Sequence, residues 1–237
     1  MRILVVEDET AIAQGLKFNF EQEGFEVILA GDGTAALDQF QASTPPVDLV
    51  LLDLMLPGMS GYETCRELRK LDAHVPILVL SARQLSEDKA LAFDAGTDQY
   101  ITKPFHLPEL LSRVRNLLKR GETIRDLTAE SESPVSDQYH FGIVEIDFSK
   151  FELTVNGRTH SLTTMELQLL KYFIENEGAV LSRSQILKDV WEESADISTR
   201  SIDNFVSRLR KLIEDDSATP RHILSVRGTG YRFLATP

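Results

Sequence analysis

The chain has 237 residues, 42% hydrophobic and 26% charged, with a net charge of −12, a length suited to two domains of roughly 100 to 120 residues, each with its own core. A single cysteine, Cys65, excludes an intramolecular disulfide and a thiolate zinc cluster, and the lack of a long apolar run or a basic leader followed by an apolar core argues against a membrane span and a signal peptide, so a cytoplasmic location is expected. The acidity is awkward for a nucleic-acid binder but unevenly spread, at −6 over residues 1–120, −4 over 121–137 and −2 over 138–237, with +3 within 200–232.

Residues 2–6 (RILVV) form a short apolar strand that ends in Glu7, Asp8 and Glu9, and helical spacing of Ile12, Leu16, Phe18 and Phe20 follows over 11–20. A second strand at 26–30 turns through 31–33 into a helix with Ala36, Leu37 and Phe40. Residues 46–58 (PVDLVLLDLMLPG) are a nearly continuous apolar run, the pattern of a strand covered on both faces, interrupted by Asp53. Tyr62, Cys65, Leu68 and Leu71 then recur at three- and four-residue steps, with Cys65 a small buried hydrophobe. Strand 76–80 ends in Ser81, helix 86–95 ends at Gly96, strand 99–102 ends in Lys103, and 107–119 is a last helix. Five strand-helix units in a row predict a parallel, doubly wound sheet. The right-handed crossover rule brings Glu7, Asp8, Asp53, Ser81 and Lys103 to one sheet edge, the edge at which such sheets bind ligands.

Carboxylates crowded there need a cation, since a pair at 4 Å costs about 4 kcal/mol at an effective dielectric of 20. A hard divalent ion with oxygen ligands fits, Mg²⁺ above all if a phosphoryl group is present. Lys103 supplies a fixed charge able to pair with Asp53 and then with phosphate oxygens, and Ser81 offers a hydroxyl. An Asp carboxylate can attack phosphorus to give an acyl phosphate. A strand-end Asp capping a turn, a passive ion site and a small hydrolase are the competing readings. No histidine stands at a strand end as general base, His74 and His106 lying in loop or helix-start positions, so a phosphoryl acceptor fits better than a fast hydrolase.

Over residues 1–120 the chain resembles the receiver domain of two-component response regulators, on VVEDE at 5–9, LLDLMLPGMSG at 51–61, LSA at 80–82 and YITKPF at 100–105. The resemblance implies a CheY-like, flavodoxin-like fold. It also implies that Asp53 is phosphorylated by a sensor histidine kinase, that Asp8, Asp53 and the Met55 carbonyl hold Mg²⁺ with Glu7 acting through water, and that Lys103 contacts the phosphoryl group. Ser81 would move to that group while Tyr100 rotates inward, and Lys103-Pro104 would be cis.

Residues 121–137 (GETIRDLTAESESPVSD) are polar and acidic, which predicts a flexible tether. Beyond it, 139–147 and 151–156 alternate as strands of a small antiparallel sheet, with Asn156-Gly157 a hairpin turn before a strand to Leu162. Thr163 or Thr164 caps a helix over 165–176, with Glu166 in its first turn; a short helix covers 182–190 and a third covers 199–213. Outward positions of the third include Arg200, Asn204, Ser207, Arg208 and Lys211, which either meet an anion or simply solvate a surface helix. The tail, 223–234, reads as a hairpin turning at 228–230, and three helices with a terminal hairpin suggest a winged helix whose third helix enters the major groove.

Residues 138–235 resemble the DNA-binding domain of the OmpR/PhoB class, on LTTMELQLLKYF at 162–173, TRSIDNFVSRLRKLIE at 199–214 and SVRGTGYRF at 225–233. That resemblance implies phosphate or base contacts from Arg200, Ser207, Arg208 and Lys211, a minor-groove role for Arg227, binding to direct repeats in promoter DNA, and a loop near 191–198 able to touch RNA polymerase. It also implies a phosphorylation-driven homodimer through Lys89, Glu109 and Arg113. The position where Arg113 often finds an Asp is Gln99 here, which would weaken the dimer or turn Arg113 to Asp98. Expected throughout is a regulator with at most slow autodephosphorylation; a phosphorylation-independent DNA binder or scaffold is the alternative, and its mark would be a broken acidic pocket.

Overall fold

The computed structural model describes residues 1–130, 138–191 and 200–236, and of residues 120–130 and 200–201 the backbone alone. The chain folds as two compact units, Met1–Thr123 and Ile124–Pro237. No helix among the described residues is long and apolar enough to cross a membrane.

The first unit alternates β1 (Arg2–Val6), α1 (Thr10–Gln22), β2 (Glu26–Ala30), α2 (Gly33–Ala42), β3 (Leu49–Asp53), α3 (Gly61–Leu71), β4 (Ile77–Ser81), α4 (Ser86–Ala95), β5 (Gln99–Thr102) and α5 (Leu107–Glu130). The sheet order is β2-β1-β3-β4-β5 and every pairing is parallel. β1, β3 and β4 are buried along their whole length, which is why their sequences show no alternation. Two of the helices, α2 and α3, begin where side chains satisfy their first N–H groups: Asp32 accepts from Ala35 N, and Ser60 with Glu63 forms a capping box on α3. Lys103-Pro104 is cis, as is Thr44-Pro45.

One element is longer than its spacing predicts. α5 continues past Lys119 to Glu130, so the helix occupies the first part of the expected tether; Ile124 and Leu127 extend its apolar repeat, and Glu, Arg, Leu and Ala are good helix formers. The remainder of the tether, 131–137, lies outside the described residues.

The second unit opens with β6 (Gln138–Phe141), β7 (Val144–Asp147), β8 (Glu152–Val155) and β9 (Arg158–Ser161), an antiparallel sheet in chain order. Here the single strand expected over 139–147 is a hairpin, turning at Gly142 with φ +53°. The expected Asn156-Gly157 turn is present, with both residues at positive φ. Then come α6 (Thr164–Glu175), the unanticipated short β10 (Leu181–Ser182), α7 (Arg183–Trp191), α8 (Arg200–Ile213), β11 (Ile223–Val226) and β12 (Gly230–Phe233), with sheet order β10-β12-β11. Leu169, Phe173, Ile186, Ile202, Phe205, Leu209 and Phe233 are fully buried, and Trp191 meets Phe205 with ring centroids 5.2 Å apart. This is a three-helix unit with a β11–β12 wing.

Asp147 anchors the turn after β7. Burial alone would push its carboxyl up, but hydrogen bonds from Ser149, the Lys150 N–H and Gln138 pull it down to about 2. A folded pKa below the unfolded one gives stability that is present above the unfolded value and is lost as pH falls through the folded one. Acid unfolding followed between pH 5 and pH 1.5 should therefore show Asp147→Asn losing less stability with acid than the parent chain.

Candidate functional site

Because β1, β3, β4 and β5 run parallel, Glu7, Asp53, Ser81 and Lys103 all lie at the carboxyl ends of their strands. Lys103 Nζ donates to Asp53 Oδ2 at 2.5 Å and to Glu7 Oε2 at 2.7 Å, bridging groups 50 and 96 residues away in sequence. Asp53 Oδ1 accepts from the Met55 N–H at 2.8 Å. Burial would lower the Lys103 pKa, but its bonds to the two carboxylates outweigh this and raise it. Burial raises the Glu7 pKa; Lys103 pulls it back only in part and Asp53 adds to the rise.

Asp8 is exposed beside them, and Glu7, Asp8 and Asp53 each offer a carboxylate oxygen within 4.8 Å of the others. Glu7 Oε1 is buried, with no hydrogen-bond partner among the described residues. A buried acceptor left open costs about 1–3 kcal/mol, so a donor set of three carboxylates with one orphaned oxygen fits a hard divalent cation or its water.

Glycine is required at the floor of this pocket. A Cβ on Gly61 would stand 2.2 Å from the Asp53 carbonyl oxygen and 2.5 Å from Leu54 Cα. The start of α3 therefore packs directly on the backbone that carries Asp53.

The expected switch residues lie next to the site. Ser81 is fully buried and its Oγ accepts from the Arg83 N–H at 3.2 Å. Tyr100 is half-buried and donates its hydroxyl to the Arg83 carbonyl at 2.8 Å; burial pushes the phenol up to about 12 against the opposing pull of the Ser81 hydrogen bond, with Asp88 adding to the rise. Arg83, which its position after LSA did not single out, also donates to Asp88 at 2.8 Å and to Met55 Sδ at 3.1 Å. It therefore joins the loop after Ser81 to α4 and to the residue beside the acceptor strand.

On the α4, β5 and α5 face the expected dimer residues have partners within the chain. Glu109 accepts from Arg113 at 2.8 Å one helical turn away, and the Lys89 ammonium stands 5.7 Å from the Tyr100 ring centroid. Asp98 Oδ2, the alternative mate for Arg113, accepts from Arg69 at 2.6 Å and from the Ile77 N–H at 2.8 Å. Gln99 is buried, and among the described residues neither of its amide atoms has a hydrogen-bond partner.

In the second unit Ser207, Lys211 and Arg227 are exposed. Arg208, expected to face outward, instead gives Nη2 to Glu166 Oε1 at 2.8 Å, with the two side chains 18% and 3% exposed. The reason is local: Glu166 closes the Thr163 capping box of α6, accepting from the Thr163 N–H at 2.8 Å, and is buried in doing so. A buried carboxylate needs a cation, and Arg208 borders the apolar stripe of α8 that packs there. Arg210, whose spacing faces it partly inward, donates to the Ile223 carbonyl and to Ser225 Oγ. The side chain of Arg200 and the loop 192–199, with its expected polymerase contact, lie outside the described residues.

Comparisons with known proteins agree with this geometry. Residues 3–115 match the family described as the response regulator receiver domain, and residues 157–233 match the family described as transcriptional regulatory protein, C terminal. The sensory transduction protein RegX3 of Mycolicibacterium smegmatis is 40% identical over 97% of each chain. The response regulator MprA of Mycobacterium sp. (strain KMS) is 40% identical over 100% of this chain and 99% of its own. Among solved structures, a mutant of RitR superposes with a TM-score of 0.72 at 25% identity, covering 98% of both chains. With a receiver fold, an intact acidic edge and a C-terminal DNA-binding winged helix in one chain, the protein belongs to the OmpR/PhoB class of two-component response regulators.

Proposed function

We propose that Asp53 accepts a phosphoryl group from the phosphohistidine of a sensor histidine kinase, and that this modification controls binding of the winged helix to promoter DNA. The observation that carries the reading is the Asp53 carboxylate itself, held between the Met55 N–H and Lys103 with Glu7 and Asp8 alongside. In the transfer the P–N bond to the imidazole breaks as a P–O bond to an Asp53 oxygen forms. The freed imidazole keeps the lone pair and takes up a proton.

Asp8, Asp53 and the Met55 carbonyl would hold Mg²⁺, with Glu7 supporting through water. When bound, the ion supplies positive charge to the phosphoryl oxygens. Lys103 already sits on Asp53 and can follow the added charge onto the phosphoryl group, while the Ser81 hydroxyl, which accepts from the Arg83 N–H and bonds the Tyr100 hydroxyl, would turn its proton to that group as Tyr100 leaves. Movement of Ser81 and inward rotation of Tyr100 would break the Tyr100 bond to the Arg83 carbonyl and carry the change toward α4. Slow autodephosphorylation would reset the site; the protein acts in the cytoplasm as a switch rather than an enzyme.

Phosphorylation would favour a homodimer in which Lys89, Glu109 and Arg113 exchange their present partners across the interface, with Gln99 giving up one charge of the usual set. The Gln99 amide would still accept a hydrogen bond from arginine while lacking the carboxylate charge, so the dimer would be weakened and not abolished. Paired winged helices would bind direct repeats, with Ser207, Lys211, Arg227 and Arg200 toward the DNA and the loop after Trp191 toward RNA polymerase.

Sedimentation with beryllofluoride and magnesium tests the switch: a shift from monomer to dimer at micromolar protein is expected, and an unchanged monomer mass would remove dimerisation from the mechanism. Chelation by EDTA should reduce labelling of Asp53 by acetyl phosphate to background, with magnesium restoring it. Gly61→Ala, by displacing the acceptor backbone, should slow labelling on the order of 10²-fold, the usual cost of a displacement near 1 Å; a labelling rate equal to that of the parent chain would show that the loop absorbs the methyl group.

A further inference from the structure

Apart from the residues expected to touch DNA, a polar group ties the wing to α8. Asp203, in the first turn of α8, receives on one oxygen both the Tyr231 hydroxyl from β12 at 2.6 Å and Arg183 Nε from the start of α7 at 2.8 Å. Arg183 Nη2 also donates to that hydroxyl at 3.2 Å, and its guanidinium stands 4.7 Å from the Tyr231 ring centroid. The Arg183 backbone N–H meets the Thr229 carbonyl in the wing turn at 3.4 Å. Arg210, one face along α8, stands 5.7 Å from the same ring and holds the Ile223 carbonyl of β11. A Cβ on Gly230 would come within 2.0 Å of the Leu181 carbonyl, so β12 lies tight against β10 beside the start of α7.

These contacts are directional where apolar filling would not be. Tyr231 is 4% exposed, whereas the Arg183 and Asp203 side chains are 29% and 44% exposed, so the group closes the edge of the core where α7, α8 and the wing meet. Burial and then Asp203 push the Tyr231 phenol up to about 12. An acid in the first turn of a helix that approaches phosphates would repel them; Arg183 neutralises it in place. Two residues beyond Arg227, Thr229 donates to the Val226 carbonyl at 3.0 Å and closes the turn, with Gly228 at φ +74°. The exposed Arg227 therefore sits on a short, closed turn anchored through Arg183.

We propose that Arg183, Asp203 and Tyr231 act as a clamp that fixes the distance and angle between α8 and Arg227, so that the module engages the major and minor grooves in one register. They are positioning residues, and the proposal rests on the DNA-binding reading above.

The test uses the full chain with beryllofluoride and magnesium, a duplex enriched from a random pool by the parent protein, and a random duplex of the same length. Tyr231→Phe keeps the ring and removes the hydroxyl. It should keep the parent's circular dichroism, lower the preference for the enriched duplex about tenfold, and weaken protection of the minor-groove positions while leaving the major-groove positions protected. Combined with Arg227→Ala it should be no worse than Arg227→Ala alone, because both act through the wing. Asp203→Asn, which still accepts from the phenol, should lie closer to the parent than Asp203→Ala, and this pair gives the same comparison if Tyr231→Phe does not fold. Parent-like preference and protection in Tyr231→Phe, or penalties that multiply in the double variant, would overturn the clamp. A parent chain that enriches no duplex overturns the DNA-binding reading, and the clamp with it.

Discussion

Asp53→Asn is expected to abolish labelling by a phosphodonor while leaving the receiver folded. The amide oxygen can still accept from the Met55 N–H, so the backbone after β3 keeps its anchor. What is lost is the nucleophile, since an amide does not form the acyl phosphate, and the 2.5 Å ion pair to Lys103. Two effects on stability oppose each other. The raised Lys103 pKa marks stability that is present below its unfolded value and is lost as pH rises through the folded one, and removing Asp53 reduces that contribution at neutral pH. Removing Asp53 also relieves its repulsion of Glu7, whose raised pKa reports a carboxylate that is costly to keep ionised in the pocket. A small change in melting temperature with labelling at background is the expected result. Labelling that persists in Asp53→Asn would place the acceptor elsewhere.

Arg208→Ala should destabilise the second unit by about 3–5 kcal/mol, the usual cost of leaving a buried charge without its mate. Glu166 would be left 2% exposed with the Thr163 N–H as its remaining described partner. Replacing both Arg208 and Glu166 with apolar residues should recover much of that loss, because the pair is then removed together. Lys211→Ala makes the contrast. Its side chain is exposed, so stability should change by no more than about 0.5 kcal/mol, while the salt dependence of DNA binding falls by about one phosphate contact. Denaturant melts of the two variants separate the roles. An Arg208→Ala protein with parent stability and weakened DNA affinity would return Arg208 to the set of DNA contacts.

The acidic pocket was legible because its chemistry depends on chain order alone. Once five apolar strands alternate with helices, the residue after each strand is committed to one edge, and Glu7, Asp53, Ser81 and Lys103 follow without knowledge of side-chain packing. Asn156-Gly157 was legible for a similar reason, since few other dipeptides adopt two positive φ angles. The hairpin at Gly142 left a fainter trace. Tyr139 and Phe141 fall on odd positions and Val144 and Ile146 on even ones, a phase slip that marks a turn inside an otherwise alternating run. Arg208 could not be placed from spacing, because it borders the buried stripe of α8 and its fate depends on Glu166, whose own burial comes from capping a different helix. Arg183, Asp203 and Tyr231 share this character: nothing in the spacing of its own element marks any of them, and only the packing of three elements brings them together.

Occupancy of one duplex by two forms of the same chain tests the central claim most directly. A duplex enriched from a random pool by the phosphorylated protein is titrated with phosphorylated parent, unmodified parent and Asp53→Asn in the same magnesium buffer. Tighter, paired-site occupancy by the phosphorylated chain, with the other two alike and weaker, is the predicted result. Equal occupancy by all three, with Asp53 verified as modified in the first, would contradict it.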